Sequence, residues 1–382
     1  MRVRLVPEGG PSLDVVAGRL APPVGRPDQV VALGPGALGP GLINAHDHLH
    51  RNHFPRLGTP PYPDAYAWGR ALHAHYGTAI RKAGRLPPEE AFLFGALKNL
   101  LGGVTACVHH DPWHPCLGSD FPLRVVRTRV VHSLEFERDP VGAARAEPAL
   151  ADQPLCLHLA EGVTRDMADE VRRAEDMGLL GADVLAVHLV GTDADGIERL
   201  TRTRTAVVWC PTSNEFLFGR TAPAALLQSG ADVLLGTDSL LTGDGTMLDE
   251  LAAARRLGTL PDDQLMDAVG RTAARRLGMP PPTLTPEARA DLVLWRRPPL
   301  EATAAEVGLV LVGGRPRYGD ACFARLFSRM GVTTEPLRVG GIDKLIASPM
   351  GTVAHHVAEL TPATRRVLGA APAGTGFAQD GS

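Results

Sequence analysis

The stretch Gly41-Leu42-Ile43-Asn44-Ala45-His46-Asp47-His48 is an apolar run of strand length that ends in two histidines one residue apart. Side chains alternate between faces along a strand, so His46 and His48 share one face while Asp47 turns to the other. Two neutral imidazoles aimed at one point begin a site for Zn, Fe or Ni. Three later segments repeat the construction. Pro154-Leu155-Cys156-Leu157-His158-Leu159-Ala160-Glu161 delivers a histidine and, three positions on, a carboxylate. Val184-Leu185-Ala186-Val187-His188 delivers another histidine. Ala231-Asp232-Val233-Leu234-Leu235-Gly236-Thr237-Asp238-Ser239 ends in a carboxylate beside a small-residue turn. A further strand over residues 206–210 runs into the turn-like Pro211-Thr212-Ser213-Asn214, which supplies a wall or a supporting hydrogen bond.

Continuous apolar strands, as opposed to alternating ones, are buried on both faces, which means a parallel sheet covered by helices. Residues 164–178 carry helical spacing in Met167, Val171 and Ala174 with Gly178 placed as the stop, and residues 222–230 repeat the pattern. Strand, helix and strand therefore recur at the length of a βα unit. Parallel strands that all present polar residues at their carboxyl ends describe an α/β fold of the (β/α)8 TIM-barrel kind, with the site at that face. One interval does not fit. Residues 123–158 are too few for a third strand, its helix, a fourth strand and another helix, so the barrel is expected to be distorted around strands 3 and 4, or one helix short there.

The ordered set His46-x-His48, His158-Leu-Ala-Glu161, His188, Cys210-Pro-Thr-Ser-Asn214 and Gly236-Thr-Asp238-Ser239 resembles the amidohydrolase superfamily over roughly residues 30–320. Within it, the likeness is to the branch of cytosine and adenosine deaminases and triazine chlorohydrolases. The resemblance implies that His46 and His48 of the first strand, His158 of the fifth and Asp238 of the eighth bind one divalent metal, Zn before Fe. It also implies catalytic roles for Glu161, His188 and Asp238 around an attacking water. The physical reading agrees: a divalent ion makes hydroxide available at neutral pH, and a carboxylate near a ligand can shuttle the proton to a leaving nitrogen. Some members bridge two metals with a carbamylated lysine on the fourth strand. Here no lysine lies between Lys98 and Lys344, so one metal is expected, with Glu135 and Glu137 the alternative bridge.

Each residue has a blander alternative: His188 as a core histidine, Glu161 as an acidic helix cap, Asp238 as an Asx turn former. His109 and His110, after the second strand, and His132, after residues 129–131, are candidate substrate contacts or rim fillers. Residues 50–88 form the largest connection and carry three of the four tyrosines together with Trp68. They read as a lid over a small polar, heterocyclic substrate, or else as an irregular surface loop.

The expected function is metal-dependent hydrolysis of a non-peptide C–N bond, foremost deamination of a small amino-substituted heterocycle. A cyclic amidase or a chlorohydrolase would use the same residues, and a metal-retaining, non-catalytic scaffold is the reading from another class. The 382 residues, 44% hydrophobic and 21% charged, suffice for a large core plus a smaller domain. The expected division is a barrel over 37–284, a β-sandwich from 1–36 and 285–325, and a C-terminal extension over 326–382 with a flexible tail from 369. In the extension, residues 342–346 and 353–360 read as short helices. A net charge of −3 and 5% aromatic residues leave no footprint of a nucleic-acid binder. No signal-peptide pattern and no apolar run of about 18 residues occur, so a cytoplasmic location without membrane contact is expected. The five scattered cysteines read as small core residues. Homo-oligomerisation stays open.

Overall fold

The computed structural model describes residues 1–369. Its centre is a ring of parallel strands: Leu42–Asp47, Val104–His109, Arg124–Val126, Arg129–Val131, Leu155–Leu159, Val184–His188, Ala206–Trp209 and Val233–Leu235. The first three form one ladder and the last five another. Every residue of the first, second, fifth, sixth and seventh strands is buried. That is what continuous apolar runs require when helices cover one face and the barrel interior the other. The ring closes between its ends, where the amides of Thr237 and Asp238 both donate to the His46 carbonyl, at 3.0 and 3.1 Å. Gly236 permits this approach, because a Cβ there would stand 2.5 Å from that of His46.

The expected distortion lies where the chain length demanded it. Arg124–Val126 pairs only with the second strand and Arg129–Val131 only with the fifth, and just Arg127 and Thr128 separate them. Adjacent parallel strands need a crossover of a dozen residues or more. The two short strands are therefore successive halves of one bent stave, and the barrel lacks a crossover helix at that point. After this stave come only the helix Pro140–Arg145 and a 3-10 turn, Pro148–Leu150.

Both chain ends build the remaining sheets. Arg2–Pro7, Leu13–Val16, Arg19–Ala21 and Gln29–Gly34 form a four-stranded sheet. Ala37–Pro40 joins Leu292–Trp295, Val307–Val312, Arg315–Asp320, Thr334–Val339 and Ile342–Ala347 in a six-stranded one. Two expectations are corrected here. Residues 342–346 are a strand, not a helix, since they pair antiparallel with Thr334–Val339 and with Arg315–Asp320. That pairing also carries the six-stranded sheet past residue 325. Met350–Leu360 is the helix expected near 353–360. The expected flexible tail falls beyond Gly369, outside the described residues. Among the described residues, no helix is long and apolar enough to cross a membrane.

The connection over residues 50–88 is not an irregular loop. It holds the helix Ala65–His75, whose N-cap Asp64 accepts from the Ala67 amide at 2.7 Å, and the helix Gly77–Ala83. Its first helix is tied to the rim, because the Ala65 amide donates to the Glu161 carbonyl at 2.9 Å.

Candidate metal centre

At the carboxyl ends of the ring, His46, His48, His158, His188, Asp238 and Glu161 converge. His46 Nε2 lies 3.2 Å from His158 Nε2. Asp238 Oδ1 lies 3.6 Å from His48 Nε2 and 3.9 Å from His46 Nε2. Two sets, His46 with His48 and Asp238, and His46 with His158 and His188, each hold their donor atoms within 4.8 Å of one another. Burial first, and then neighbouring imidazoles, push His46 and His158 well below the usual histidine range, so both rings offer lone pairs at neutral pH. Zn–N bonds of about 2.0–2.1 Å at angles of roughly 90–110° separate two ligand nitrogens by about 3.0–3.4 Å. The observed 3.2 Å fits two nitrogens that share a cation, and it equally fits an N–H···N bond between the rings.

The backbone is strained here. His188 (φ 74°), Leu189 (φ 55°), Ala160 (φ 51°) and Asp238 (φ 50°) are all left-handed non-glycine residues. Such positions cost about 1–3 kcal/mol each and persist where surrounding structure over-determines them. Burial opposes the charge of Asp238, yet the His48 and His188 imidazoles and the Ser213 and Thr242 hydroxyls outweigh it and hold the carboxyl down to about 2. Those hydroxyls donate to Asp238 Oδ2 at 2.7 and 2.8 Å. Glu161 is opposite in kind: burial, reinforced by the Asp238 charge, raises it well above the usual carboxylate range. Its Oε1 is 3.6 Å from His188 Nε2, and His188 Nδ1 donates to Asn214 Oδ1 at 2.8 Å. Asn214 thus gives the supporting hydrogen bond expected of the turn after residue 210.

Three supporting residues went unread in the sequence. Asp111 accepts from His48 Nδ1 at 2.5 Å, which keeps the His48 lone pair on Nε2. Glu170 accepts from the Ala160 amide at 2.8 Å and from the Tyr66 hydroxyl at 2.6 Å, bracing the turn that carries Glu161. Lys98, fully buried, reaches Asp47 Oδ2 at 3.0 Å, Thr237 Oγ1 at 2.8 Å and the Asp238 carbonyl at 2.9 Å.

A cavity of about 550 Å³ opens above the cluster. Trp68, Phe54, Tyr66, Leu72, Phe136 and Leu241 form its walls, and His48, His158, Glu161, His188 and Asp238 its polar end. His132 lines it as well. The other two candidate substrate contacts do not. His109 sits beside Phe92 and takes the Leu49 amide on Nδ1 at 3.3 Å, so it faces away from the cavity. His110 stacks on the His158 ring at 4.1 Å, behind the cluster.

Next to the site, the Thr212 amide and hydroxyl both donate to the buried Glu250 carboxylate. Burial pushes this carboxyl up to about 8, against about 4.3 in an unfolded chain. A folded pKa above the unfolded one contributes stability below about pH 4 that is lost as pH rises through about 8. Glu250→Gln keeps an acceptor for Thr212 and removes the proton. Its unfolding free energy, followed by denaturant titration from pH 5 to 8, should fall less steeply than the parent's, by up to about 1.4 kcal/mol per pH unit. Parallel profiles would mean that Glu250 does not titrate there.

The ring and its His/Asp cluster form an α/β barrel with a candidate metal site at one end, and comparison with known proteins agrees on the fold. Residues 157–317 match the model of the amidohydrolase family. The match covers less than half of the chain. It is 33% identical over 223 residues to a 5-methylthioadenosine/S-adenosylhomocysteine deaminase of Symbiobacterium thermophilum, covering 47% of this chain and 50% of the relative. Over 104 residues it is 36% identical to an aminodeoxyfutalosine deaminase of Deinococcus radiodurans, covering 26% of this chain and 25% of the relative. The chain spans about half the length, or less, of the curated relatives it matches. In fold it is similar to a zinc-bound adenosine deaminase of Xanthomonas campestris, with TM-score 0.65, 18% identity, and 86% of this chain and 96% of that one covered. A triazine hydrolase of Arthobacter aurescens gives 0.64 at 16%, with 84% and 93% covered.

Proposed function

We propose that this chain is a mononuclear metal-dependent hydrolase that deaminates an amino-substituted heterocycle of the adenosine kind. The observation that carries the reading is the convergence of His46, His48, His158 and Asp238 beside a Glu161–His188 pair at the polar end of one cavity. Those four residues would hold a zinc ion, which when bound lowers the pKa of water towards 7. Glu161 then takes the proton of the attacking water and returns it to the leaving nitrogen, as a buried carboxyl 3.6 Å from His188 Nε2 at the polar end of the cavity is placed to do. His188, its Nδ1–H held by Asn214, keeps Nε2 turned to Glu161 and the reacting C–N group. Ser213 and Thr242 keep Asp238 ionised and oriented. The deaminase names of the relatives support the reaction, and a cavity of this volume accommodates a substituted heterocycle and not only a bare ring. The same residues would serve a cyclic amidase or a chlorohydrolase; the aromatic walls favour a flat ring.

Elemental analysis of the purified protein beside His158→Ala tests the centre. One equivalent of zinc or iron, lost in the variant, is expected; two equivalents would contradict a mononuclear site, and none would overturn the metal reading. Deamination is then assayed on adenosine, 5-methylthioadenosine and other aminated heterocycles. The wall has its own test. Trp68 is fixed by its Nε1–H donated to the Leu57 carbonyl at 2.9 Å and faces the cavity. Stacking of a flat ring on it is worth about 0.5–1.5 kcal/mol, so Trp68→Ala should raise KM about 3- to 10-fold with kcat little changed. Unaltered KM on a turned-over substrate would take Trp68 out of the binding site.

A further inference from the structure

The bent stave that replaces two barrel strands has a chemical consequence. Arg129, Val130 and Val131 pair in parallel register with Leu155, Cys156 and Leu157, so the next rung sets His132 beside His158. Their Nδ1 atoms are 3.1 Å apart. Two neutral imidazole nitrogens at that distance share one proton, one ring donating and the other accepting. We propose that His132 is a positioning residue for His158: it accepts the His158 Nδ1–H and so keeps the His158 lone pair on Nε2, facing His46. This rests on the metal reading above.

The direction of the bond follows from the far side of the ring. His158 Nε2 stands 3.2 Å from His46 Nε2, where it must be bare to serve a cation, so its proton sits on Nδ1 and His132 carries its own on Nε2. His110, stacked on His158 with planes 19° apart, fixes the plane of the His158 ring but cannot stop it turning within that plane. His132, in contact at the edge, can. The same device holds the neighbouring imidazoles, through Asp111 on His48 and Asn214 on His188. Remote partners of this kind set the tautomer and basicity of a ligand, and removing one costs about 10- to 100-fold in metal affinity.

Because His132 also lines the cavity, the competing role is a substrate contact, which would move KM and leave the metal alone. The test compares His132→Asn with His132→Leu in the full chain. The two side chains are similar in size, but Asn sets Oδ1 about where Nδ1 stood and can accept the proton, whereas Leu cannot. Zinc affinity is measured by competition with a chelator, and the visible absorption of the cobalt-substituted protein reports ligand geometry. His132→Leu should bind zinc about 10- to 100-fold more weakly with an altered cobalt spectrum, and His132→Asn should recover to within about threefold of the parent. Parental affinity in His132→Leu, with only KM changed, would make His132 a substrate contact. Equal losses in both variants, or collapse of both apo folds, would make it a packing residue or a ligand. Either result overturns the proposal. A parent chain that holds no zinc would overturn the metal reading itself, and this inference with it.

Discussion

Glu161→Gln is expected to lower turnover by about 10²- to 10⁴-fold while the protein keeps its full complement of metal. The substitution preserves length and leaves the four proposed ligands untouched, so it isolates proton transfer. In barrier height the loss is about 3 to 5 kcal/mol, the contribution of one well-placed general acid–base group. Glu161 is suited to that task by position: its Oε1 is 3.6 Å from His188 Nε2, and its backbone is held by the Ala65 amide and by Glu170 through Ala160. Gln can hydrogen-bond at the same place but cannot accept and return a proton. The measurement pairs steady-state kinetics with metal analysis of the same sample. Metal loss accompanying the lower rate would point to a ligand, and an unimpaired rate would pass the shuttle to Asp238.

Much of this site could be read before the fold was known, because its residues sit at the ends of apolar strands, where a periodic pattern and a chemical residue type coincide. His46, His48, His158, His188 and Asp238 all have that form, and the structure brings their side chains together. The short interval over residues 123–158 could likewise be read, since a crossover cannot be shorter than its helix. What supports these residues could not. Asp111 sits in an irregular segment with no period, Glu170 on an amphipathic helix among many charges, and Lys98 in the middle of Phe92-Leu93-Phe94-Gly95-Ala96-Leu97-Lys98-Asn99-Leu100-Leu101. One signal was available for the last. The chain has only three lysines, Lys82, Lys98 and Lys344, and a charge set in an all-round apolar helix must be buried and paired. The misreading of residues 342–346 has a local cause. Ile342-Asp343-Lys344-Leu345-Ile346 is too short to tell a helical period from an alternating one, and the pairing with Thr334–Val339 decides it. His109 and His110 show the converse limit, for successive residues at a strand's end cannot both face the cavity, and here neither does.

Lys98→Met should cost about 3–5 kcal/mol of folding stability, the penalty for leaving one member of a buried ion pair without the other. Both partners are fully enclosed, with Lys98 Nζ 3.0 Å from Asp47 Oδ2. Asp47 is the residue between the two histidines of the first strand, turned outward as alternation demands. There it also accepts from Asn99 at 2.7 Å and Asn52 at 2.8 Å. Lys98 in turn donates to Thr237 Oγ1 and the Asp238 carbonyl, so one side chain ties the first strand's proposed ligands to the last strand's across the seam where the barrel closes. Methionine fills the space but supplies neither charge nor donor, and the buried Asp47 carboxylate is left with neutral donors alone, the amides of Asn44, Asn52 and Asn99 and the Thr237 hydroxyl. Denaturant unfolding of the metal-free protein measures the loss without the contribution of bound zinc. If charge is the cause, Asp47→Asn added to Lys98→Met should restore more than half of the lost stability, because the uncompensated carboxylate is then gone. A loss below about 1 kcal/mol, or a double variant no better than the single one, would mean that packing and not the ion pair holds the seam. Zinc affinity should fall in the single variant as well, since the seam sets the distance between the His46–His48 pair and Asp238.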